Sequence, residues 1–136
     1  MARILAIDYG GKRTGLAVTD PLQIIATGLT TIDSKELISY LKKYCEEEAV
    51  ELMIIGLPLN WDDSDTHATP LVKTAIKKLK KKFPDMPIKT VDERYTSKMA
   101  KDAMLEMGMK KKDRRVKGNV DVIAATIMLQ EYLQNH

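Results

Sequence analysis

Residues 3–20 read RILAIDYGGKRTGLAVTD, and this stretch decides the fold. The run 3–8 is almost continuously apolar, which is typical of a strand buried on both faces. Residues 9–13 have the glycines and basic residues of a turn, and residues 14–20 read as a second strand. The stretch therefore predicts a β-hairpin that closes through a glycine-rich loop.

The rest of the chain alternates between strand and helix patterns. Further strands are predicted over residues 24–32, 52–55 and 87–92, the second of them stopping at Gly56. Apolar residues at helical spacing predict helices over about residues 34–48, 69–82, 96–107 and 119–133, with Asp33 or Ser34 as the first N-cap. The last helix is expected to bury Val120, Ile123, Ala124, Ile127 and Met128. Three strands followed by alternating helices and strands indicate the α/β class, with a mixed sheet flanked by helices.

Length and composition limit the class of protein. The 136 residues suit one domain over 1–136, and 44% hydrophobic with 30% charged residues is typical of a globular chain. The longest apolar run, residues 122–129, is far shorter than the ~18 residues that span a bilayer, and Asp8 interrupts any N-terminal signal sequence. A single cysteine, Cys45, excludes an internal disulfide framework and a cysteine-rich zinc site. We therefore expect a cytoplasmic protein with no membrane partner.

Basic residues are concentrated in two short stretches of a chain whose net charge is +3. The first, on the predicted helix 69–82, contains Lys73, Lys77, Lys78, Lys80, Lys81 and Lys82. This cluster is either a contact for a polyanion or a solvated helix face, and we favour the solvated face because lysines commonly coat exposed helices. The second, residues 110–117, follows a glycine and lacks apolar periodicity. It is either a basic loop in solvent or a contact for a polyanion such as nucleic acid.

Acidic residues from three segments are expected to meet at one edge of the sheet. Asp8 ends the first strand, Asp92 and Glu93 end the last strand, and Asp121 lies in the first turn of the last helix. In open α/β sheets, sites form outside the carboxyl ends of the strands, and acids gathered there repel one another unless cations neutralise them. Hard divalent cations suit such all-oxygen ligands. Each acid also fits a simpler role: Asp8 in a turn, Glu93 paired with Arg94, and Asp121 at a helix dipole.

Four segments together resemble a known family. They are AIDYGGKRTGLAVTD at 6–20, GLPLN at 56–60, DERYTS at 92–97 and VDVIAATIMLQEYL at 120–133. In this order and spacing they resemble the YqgF (RuvX) family, small nucleases of the RNase H-like superfamily described as Holliday junction resolvases and as pre-16S rRNA nucleases. The resemblance covers essentially the whole chain. It departs from the family at residues 61–65, WDDSD, where the family usually has a glycine.

The resemblance implies a fold, a cofactor and a reaction. The fold would be RNase H-like, with a five-stranded mixed sheet of three antiparallel strands followed by two parallel ones. The family's acidic triad falls on Asp8, Glu93 and Asp121, which would hold one or two Mg²⁺ or Mn²⁺ ions. The reaction would be hydrolysis of phosphodiester bonds in structured nucleic acid, with pre-16S rRNA as the first expectation and branched DNA as the alternative. A monomer and a homodimer are both compatible with the sequence.

The residues expected to bind substrate are basic. Lys12 and Arg13, in the glycine loop beside Asp8, either hold a phosphate together with backbone amides or form a solvated hairpin tip. Arg94 could orient Glu93 or meet the substrate. In the loop 110–117, the residues expected to contact flanking phosphates are Lys111, Lys112, Arg114 and Arg115.

Two other classes of function compete with the nuclease. The phosphate hairpin of actin, Hsp70 and the sugar kinases also looks like residues 6–20, but those proteins bury ATP between two such domains and this chain supplies one. A nucleic-acid-binding protein that no longer cleaves is the other alternative. The presence of all three acids in this sequence disfavours it.

Overall fold

The computed structural model of the protein describes residues 2–58, 67–92 and 117–135. The strands are β1 (Arg3–Tyr9), β2 (Arg13–Thr19), β3 (Ala26–Asp33), β4 (Val50–Leu57) and β5 (Ile88–Asp92). The helices are α1 (Leu37–Glu47, entered through a 3-10 turn at Ser34–Glu36), α2 (Thr69–Lys82) and α3 (Lys117–Asn135). The predicted helix 96–107 lies outside the described residues.

The five strands form one mixed sheet in the order β3-β2-β1-β4-β5. β1 pairs antiparallel with β2, and β2 pairs antiparallel with β3. β1 and β4, and likewise β4 and β5, are parallel. The predicted arrangement of three antiparallel strands followed by two parallel strands is therefore confirmed. We call the edge at which β1, β4 and β5 end the rim; it is formed by Tyr9, Leu57 and Asp92.

The two faces of the sheet carry side chains of different size. β1 is buried on both, as its apolar run predicts. On one face, α1 and α2 pack against large side chains, which include Leu5, Ile7, Leu16, Met53 and Ile55. On the other face, α3 packs against a set that includes Ile4, Ala6, Ala17, Ala26 and Ile54. Small side chains on a sheet allow a helix to approach its backbone closely, and the α3 face is built in this way.

β4 is longer than the sequence suggests. The strand does not stop at Gly56, because Gly56 pairs with Val91 and Leu57 pairs with Asp92 of β5. Pro58, which has no N–H to donate to the ladder, follows the last residue of the strand. The two additional residues bring the end of β4 level with the end of β5.

The start of α1 differs from the predicted cap. Asp33 makes no side-chain capping hydrogen bond, and the hydroxyl of Ser34 donates to the carbonyl oxygen of Gly10. Ser34 is buried against the β1–β2 hairpin, so its hydroxyl satisfies a carbonyl there and does not reach a helix N–H. The helix is entered through the 3-10 turn.

α3 begins at Lys117, so Asp121 is its fifth residue and lies in the second turn, not in the first turn as expected. Its buried face consists of Ala124, Ala125, Met128 and Leu129. The expectation was right for Ala124 and Met128, but Val120, Ile123 and Ile127 are only half-buried. The buried face thus combines two alanines with two larger side chains, and Ala125, Met128 and Leu129 belong to the core cluster that includes Ala6 and Ala17 of the sheet. None of the helices among the described residues has the length and apolar character needed to cross a membrane.

Candidate active site

Asp8 lies at the rim, on the α3 face of the sheet. It is the sixth residue of β1, and it pairs across the antiparallel ladder with Gly15 of β2. Ile4 and Ala6 belong to the core beneath α3, and alternation along the strand assigns Asp8, two residues after Ala6, to the same face. Its side chain is half-buried at the edge of this core, as the sequence predicts for the end of a buried strand.

Asp121 is brought to the same place by the approach of α3 to Gly15. A Cβ atom added at Gly15 would lie 2.2 Å from the carbonyl oxygen of Asp121 and 2.3 Å from its carbonyl carbon. No side chain fits in that space, so the backbone of the helix rests directly on the glycine that faces Asp8. The structure therefore brings together two of the three predicted acids, through a glycine that connects them.

The third predicted acid, Glu93, lies outside the described residues, as does Arg94. The preceding residues of β5 are described. Ile88 packs against the core beneath α1 and α2, whereas Val91 packs against the core beneath α3. Strand alternation therefore assigns Asp92 to the face of Ile88, opposite to that of Asp8. Of the pair Asp92 and Glu93, the described member is at the rim but on the other face.

The basic residues of the glycine loop differ in their surroundings. Nε of Arg13 lies 3.4 Å from Oδ2 of Asp121, and these two side chains are 37% and 26% exposed. Lys12 is exposed to solvent. Arg13 is thus attached to the candidate site by an ion pair, and Lys12 extends from the loop next to it. The other predicted substrate-binding residues, Lys111, Lys112, Arg114 and Arg115, lie outside the described residues, as do residues 61–65.

Ser34 fixes the glycine loop by two hydrogen bonds, a role that the sequence did not suggest. Its backbone N–H donates to the carbonyl oxygen of Lys12 at 2.9 Å, and its hydroxyl donates to the carbonyl oxygen of Gly10. The hydroxyl of Thr14 lies 2.8 Å from that of Ser34, and because Ser34 already donates to Gly10, Thr14 is the donor. Thr14 is fully buried. The loop is therefore fixed by a buried hydrogen-bond network.

Gly15 is the other residue whose role the sequence analysis missed. A signal for it existed, because an isolated glycine inside a strand pattern often marks a close approach of another backbone. Ser34 gave no comparable signal, since a serine before a helix is ordinarily a cap.

The donors at the rim suit a hard divalent cation. Asp8 and Asp121 offer carboxylate oxygens, the ligands that Mg²⁺ and Mn²⁺ prefer. Within residues 2–58, 67–92 and 117–135, no three His, Cys, Asp or Glu side chains are grouped closely enough to hold a metal ion. The described part of the site therefore offers two carboxylates of suitable chemistry, and the residue predicted to be the third ligand, Glu93, lies outside the described residues.

Comparison with known proteins shows a family and a fold. Residues 2–135 match a family described as "RuvX: Holliday junction resolvase". A protein of Bacteroides fragilis named "Putative pre-16S rRNA nuclease" is 51% identical over 134 residues, which cover 98% of this chain and 97% of that protein. A protein of the same name from Flavobacterium psychrophilum is 53% identical over 133 residues, covering 98% and 97% of the two chains.

Among solved structures, Thermus thermophilus RuvC in complex with a Holliday junction substrate superimposes with a TM-score of 0.60. The match covers 99% of this chain and 95% of that chain at 14% sequence identity. A second structure of Thermus thermophilus RuvC gives a TM-score of 0.57 at 12% identity, covering 98% and 95%. At these identities the likeness is one of fold, and it confirms the expected RNase H-like architecture.

Proposed function

The chain belongs to the RuvX family, and we propose that it is a divalent-metal-dependent nuclease that hydrolyses phosphodiester bonds in pre-16S rRNA. One observation supports this most directly. The backbone of α3 at Asp121 rests on Gly15, which is the ladder partner of Asp8, so two carboxylates from distant parts of the chain share one side of the rim. The names of relatives about half identical in sequence support the nuclease activity and the RNA substrate.

The third ligand in this proposal is Glu93. Val91 lies on the α3 face, and the period of a β-strand is two residues. Continuing that alternation by one step beyond Asp92 would assign Glu93 to the face that carries Asp8 and Asp121. β5 is two strands away from β1, about 10 Å in a regular sheet, and the acidic side chains would reach into the intervening space.

The proposed roles follow from the chemistry of each group. Asp8, Glu93 and Asp121 would hold one or two Mg²⁺ or Mn²⁺ ions. Bound there, the metal would lower the pKa of a water for attack on phosphorus and stabilise the leaving oxygen. Arg13, already next to Asp121, would neutralise a phosphate oxygen at the rim, and Lys12 would contact a flanking phosphate.

The hydrogen bonds of Ser34 also orient the loop for phosphate binding. Because the carbonyl of Gly10 is directed at Ser34, the planar peptide directs the amide N–H of Gly11 to the opposite side. An outward N–H in a glycine loop is a favourable donor to a phosphate oxygen. The basic residues predicted to contact flanking phosphates, Lys111, Lys112, Arg114 and Arg115, would bind phosphates farther along the substrate.

The proposal also covers a second candidate substrate, the oligomeric state, the location and the competing ATP-binding function. A four-way DNA junction is the second candidate substrate, because the family description names that activity. Processing one RNA end requires only a monomer, whereas symmetric cutting of two strands would suit a homodimer. The proposed role in rRNA maturation would be carried out in the cytoplasm. The family match over residues 2–135 favours cleavage over the ATP-binding alternative.

The test compares three Asp to Asn variants on labelled precursor rRNA and on a four-way DNA junction, with and without Mn²⁺. Asp8→Asn and Asp121→Asn should each lower the cleavage rate more than about 100-fold, while RNA binding is retained because a negative charge is lost. Asp92→Asn is the matched control, a carboxylate at the same rim on the opposite face, and it should keep wild-type activity. Full turnover by Asp8→Asn, or in excess EDTA, would overturn the metal mechanism. Cleavage of the precursor rRNA at a single defined site would support RNA processing, whereas such cleavage of the DNA junction would support junction resolution.

A further inference from the structure

α2 carries six lysines and no acidic residue. The lysines are all exposed, and they are Lys73, Lys77, Lys78, Lys80, Lys81 and Lys82. The 3-10 turn and α1, residues 34–47, provide a comparison on the same face of the sheet, because their three lysines are balanced by three glutamates. The uniform charge is therefore a property of α2 and not of the exposed helices in general.

Folding alone does not account for this charge. Lysines four residues apart repel one another, as do Lys77 and Lys81, and such like-charged pairs destabilise a helix. The helix dipole favours only the lysines of the last turn. An external polyanion would relieve the repulsion along the whole helix.

α2 also begins next to the candidate active site. The hydroxyl of Thr69, its first residue, donates to the carbonyl oxygen of Pro58, directly after the end of β4 at the rim. The Cδ1 atom of Leu71 lies 3.8 Å from the position that a Cβ of Gly11 would take. A cavity of about 120 Å³ lies between the hairpin and α2, and its lining includes Lys35 and Lys78. The glycine loop, which carries Lys12 and Arg13, and the first turn of the lysine-rich helix α2 are therefore neighbours.

We propose that the lysine face of α2 binds the sugar-phosphate backbone of a double-helical arm of the substrate that extends beyond the rim. This inference rests on the proposed nuclease function and adds a requirement for substrate shape. The 14 residues of α2 span about 21 Å, which corresponds to about six phosphates along one strand. A duplex is the polyanion that offers evenly spaced phosphates over such a length.

The experiment measures binding to two fluorescent RNAs that share the same cleavage site. One has a flanking duplex of about three base pairs and the other of about twelve, so that only the longer reaches along α2. The variant is Lys77→Gln with Lys81→Gln, which keeps good helix formers on an exposed face. The matched control is Lys42→Gln with Lys43→Gln, which removes two exposed lysines from α1. All proteins carry Asp8→Asn, so the RNA stays intact.

For the long-arm RNA, the slope of log affinity against log salt should fall by about 1.8 in the α2 variant, for two lost phosphate contacts. The affinity of the parent divided by that of the variant should therefore be about twelvefold smaller at 200 mM salt than at 50 mM salt. The short-arm RNA and the α1 control should show no such change. Equal losses on both arms, equal losses in the control, or an unchanged slope would overturn the proposal. Binding of anionic vesicles in place of RNA would overturn it as well.

Failure of the nuclease proposal gives a different pattern. If wild-type protein does not cleave with Mn²⁺, the nuclease assignment fails, whereas the arm-length dependence of the salt slope is measured without cleavage. If cleavage is normal and the slope does not depend on arm length, only the role of α2 fails. The two hypotheses are therefore tested separately.

Discussion

The two faces of the sheet differ in the size of the side chains that pack on them and in how closely a helix approaches. Beneath α1 and α2, the core consists of large branched side chains such as Leu16, Leu41 and Ile55, each fully buried. Beneath α3, small residues take part in the contact: Gly15 of β2 meets the backbone of Asp121, and Ala17 of β2 shares a core cluster with Ala125. The first face buries much apolar surface per residue, which favours stability. The second lets a helix approach the sheet until its backbone rests on β2.

This difference shows how the candidate site is positioned. Asp121 reaches the rim because nothing larger than glycine separates its helix from the strand beside Asp8. A face built of leucines would hold α3 farther away, since helices on ordinary side chains lie at a greater distance. The face with large side chains buries more apolar surface and so stabilises the fold in which α3 packs this closely. Substitutions on the two faces should therefore have different consequences for activity and for folding.

The largest effect is expected at Gly15. In Gly15→Ala the added methyl would overlap the backbone of Asp121, which cannot move without shifting α3. We expect a loss of about 3 kcal/mol or more in the free energy of unfolding, and loss of cleavage. Gly28→Ala is the matched control on the same face, because its methyl meets side-chain atoms of α3 and not its backbone, namely Cγ1 of Val122 at 2.5 Å and the Thr126 hydroxyl at 3.3 Å. Urea unfolding and the cleavage assay measure both; equal losses in the two variants would contradict the special role of Gly15.

The next effect tests the opposite face. Leu41 is fully buried among the large side chains between α1 and the sheet. Leu41→Ala should cost about 2–5 kcal/mol in stability by leaving a cavity. Because the rim residues are unchanged, the cleavage rate of the folded fraction should remain that of the wild type at a temperature well below the unfolding midpoint. A loss of activity that exceeds the loss of folded protein would mean that the two faces are coupled.

A smaller effect is expected at Ser34, where the 3-10 turn before α1 meets the glycine loop. Ser34→Ala removes the hydroxyl that Gly10 and Thr14 use, and an unpaired buried polar group costs about 1–3 kcal/mol. If the hydrogen bonds orient the glycine loop for phosphate binding, KM for RNA should rise more than kcat falls. Ser39→Ala is the control, since its exposed hydroxyl bonds only the carbonyl of Glu36. Restoration of KM by Ser34→Thr would support positioning, whereas unchanged KM in Ser34→Ala would argue against it.

The smallest effect should occur at Asp20, at the opposite end of the sheet from the rim. Backbone N–H groups of Ile25 and Ile24 donate to its carboxylate, both at 2.8 Å, and that of Ile25 is the main cause that lowers its pKa. A pKa lowered by folding means that the ionised carboxylate stabilises the native state above its unfolded pKa of about 3.9. This contribution is lost as the pH falls through the lower, folded value.

Asp20→Asn should therefore be slightly less stable than the wild type at pH 7, and the difference should shrink as the pH falls below about 4. Urea unfolding at several pH values measures it, and cleavage at neutral pH should not change. A difference in stability that is the same at every pH would exclude ionisation of Asp20 as its cause.

Much of the fold follows from local sequence patterns. The apolar run 3–8, the glycine loop and the lysine-rich helix 69–82 each have a period or a turn composition that neighbouring residues alone produce. The strand positions of Asp8 and Asp92 follow from the same patterns. The ends of the elements were predicted less well. β4 continues through Gly56 because β5 pairs with it. Neighbouring residues in the sequence do not reveal such a pairing partner.

The sequence by itself determined the mixed α/β sheet, the hairpin and the acidic residues available at the strand ends. Only the tertiary structure decided that Asp121 lies above the partner of Asp8, that Asp92 is on the other face, and that Ser34 holds the loop and does not cap a helix. The physical reason is that periodicity is set by bonds and sterics between near neighbours, whereas these three facts depend on the distance between a helix and a sheet. That distance depends on the missing side chain of Gly15 and on small side chains such as that of Ala125, and these two residues are far apart in the chain.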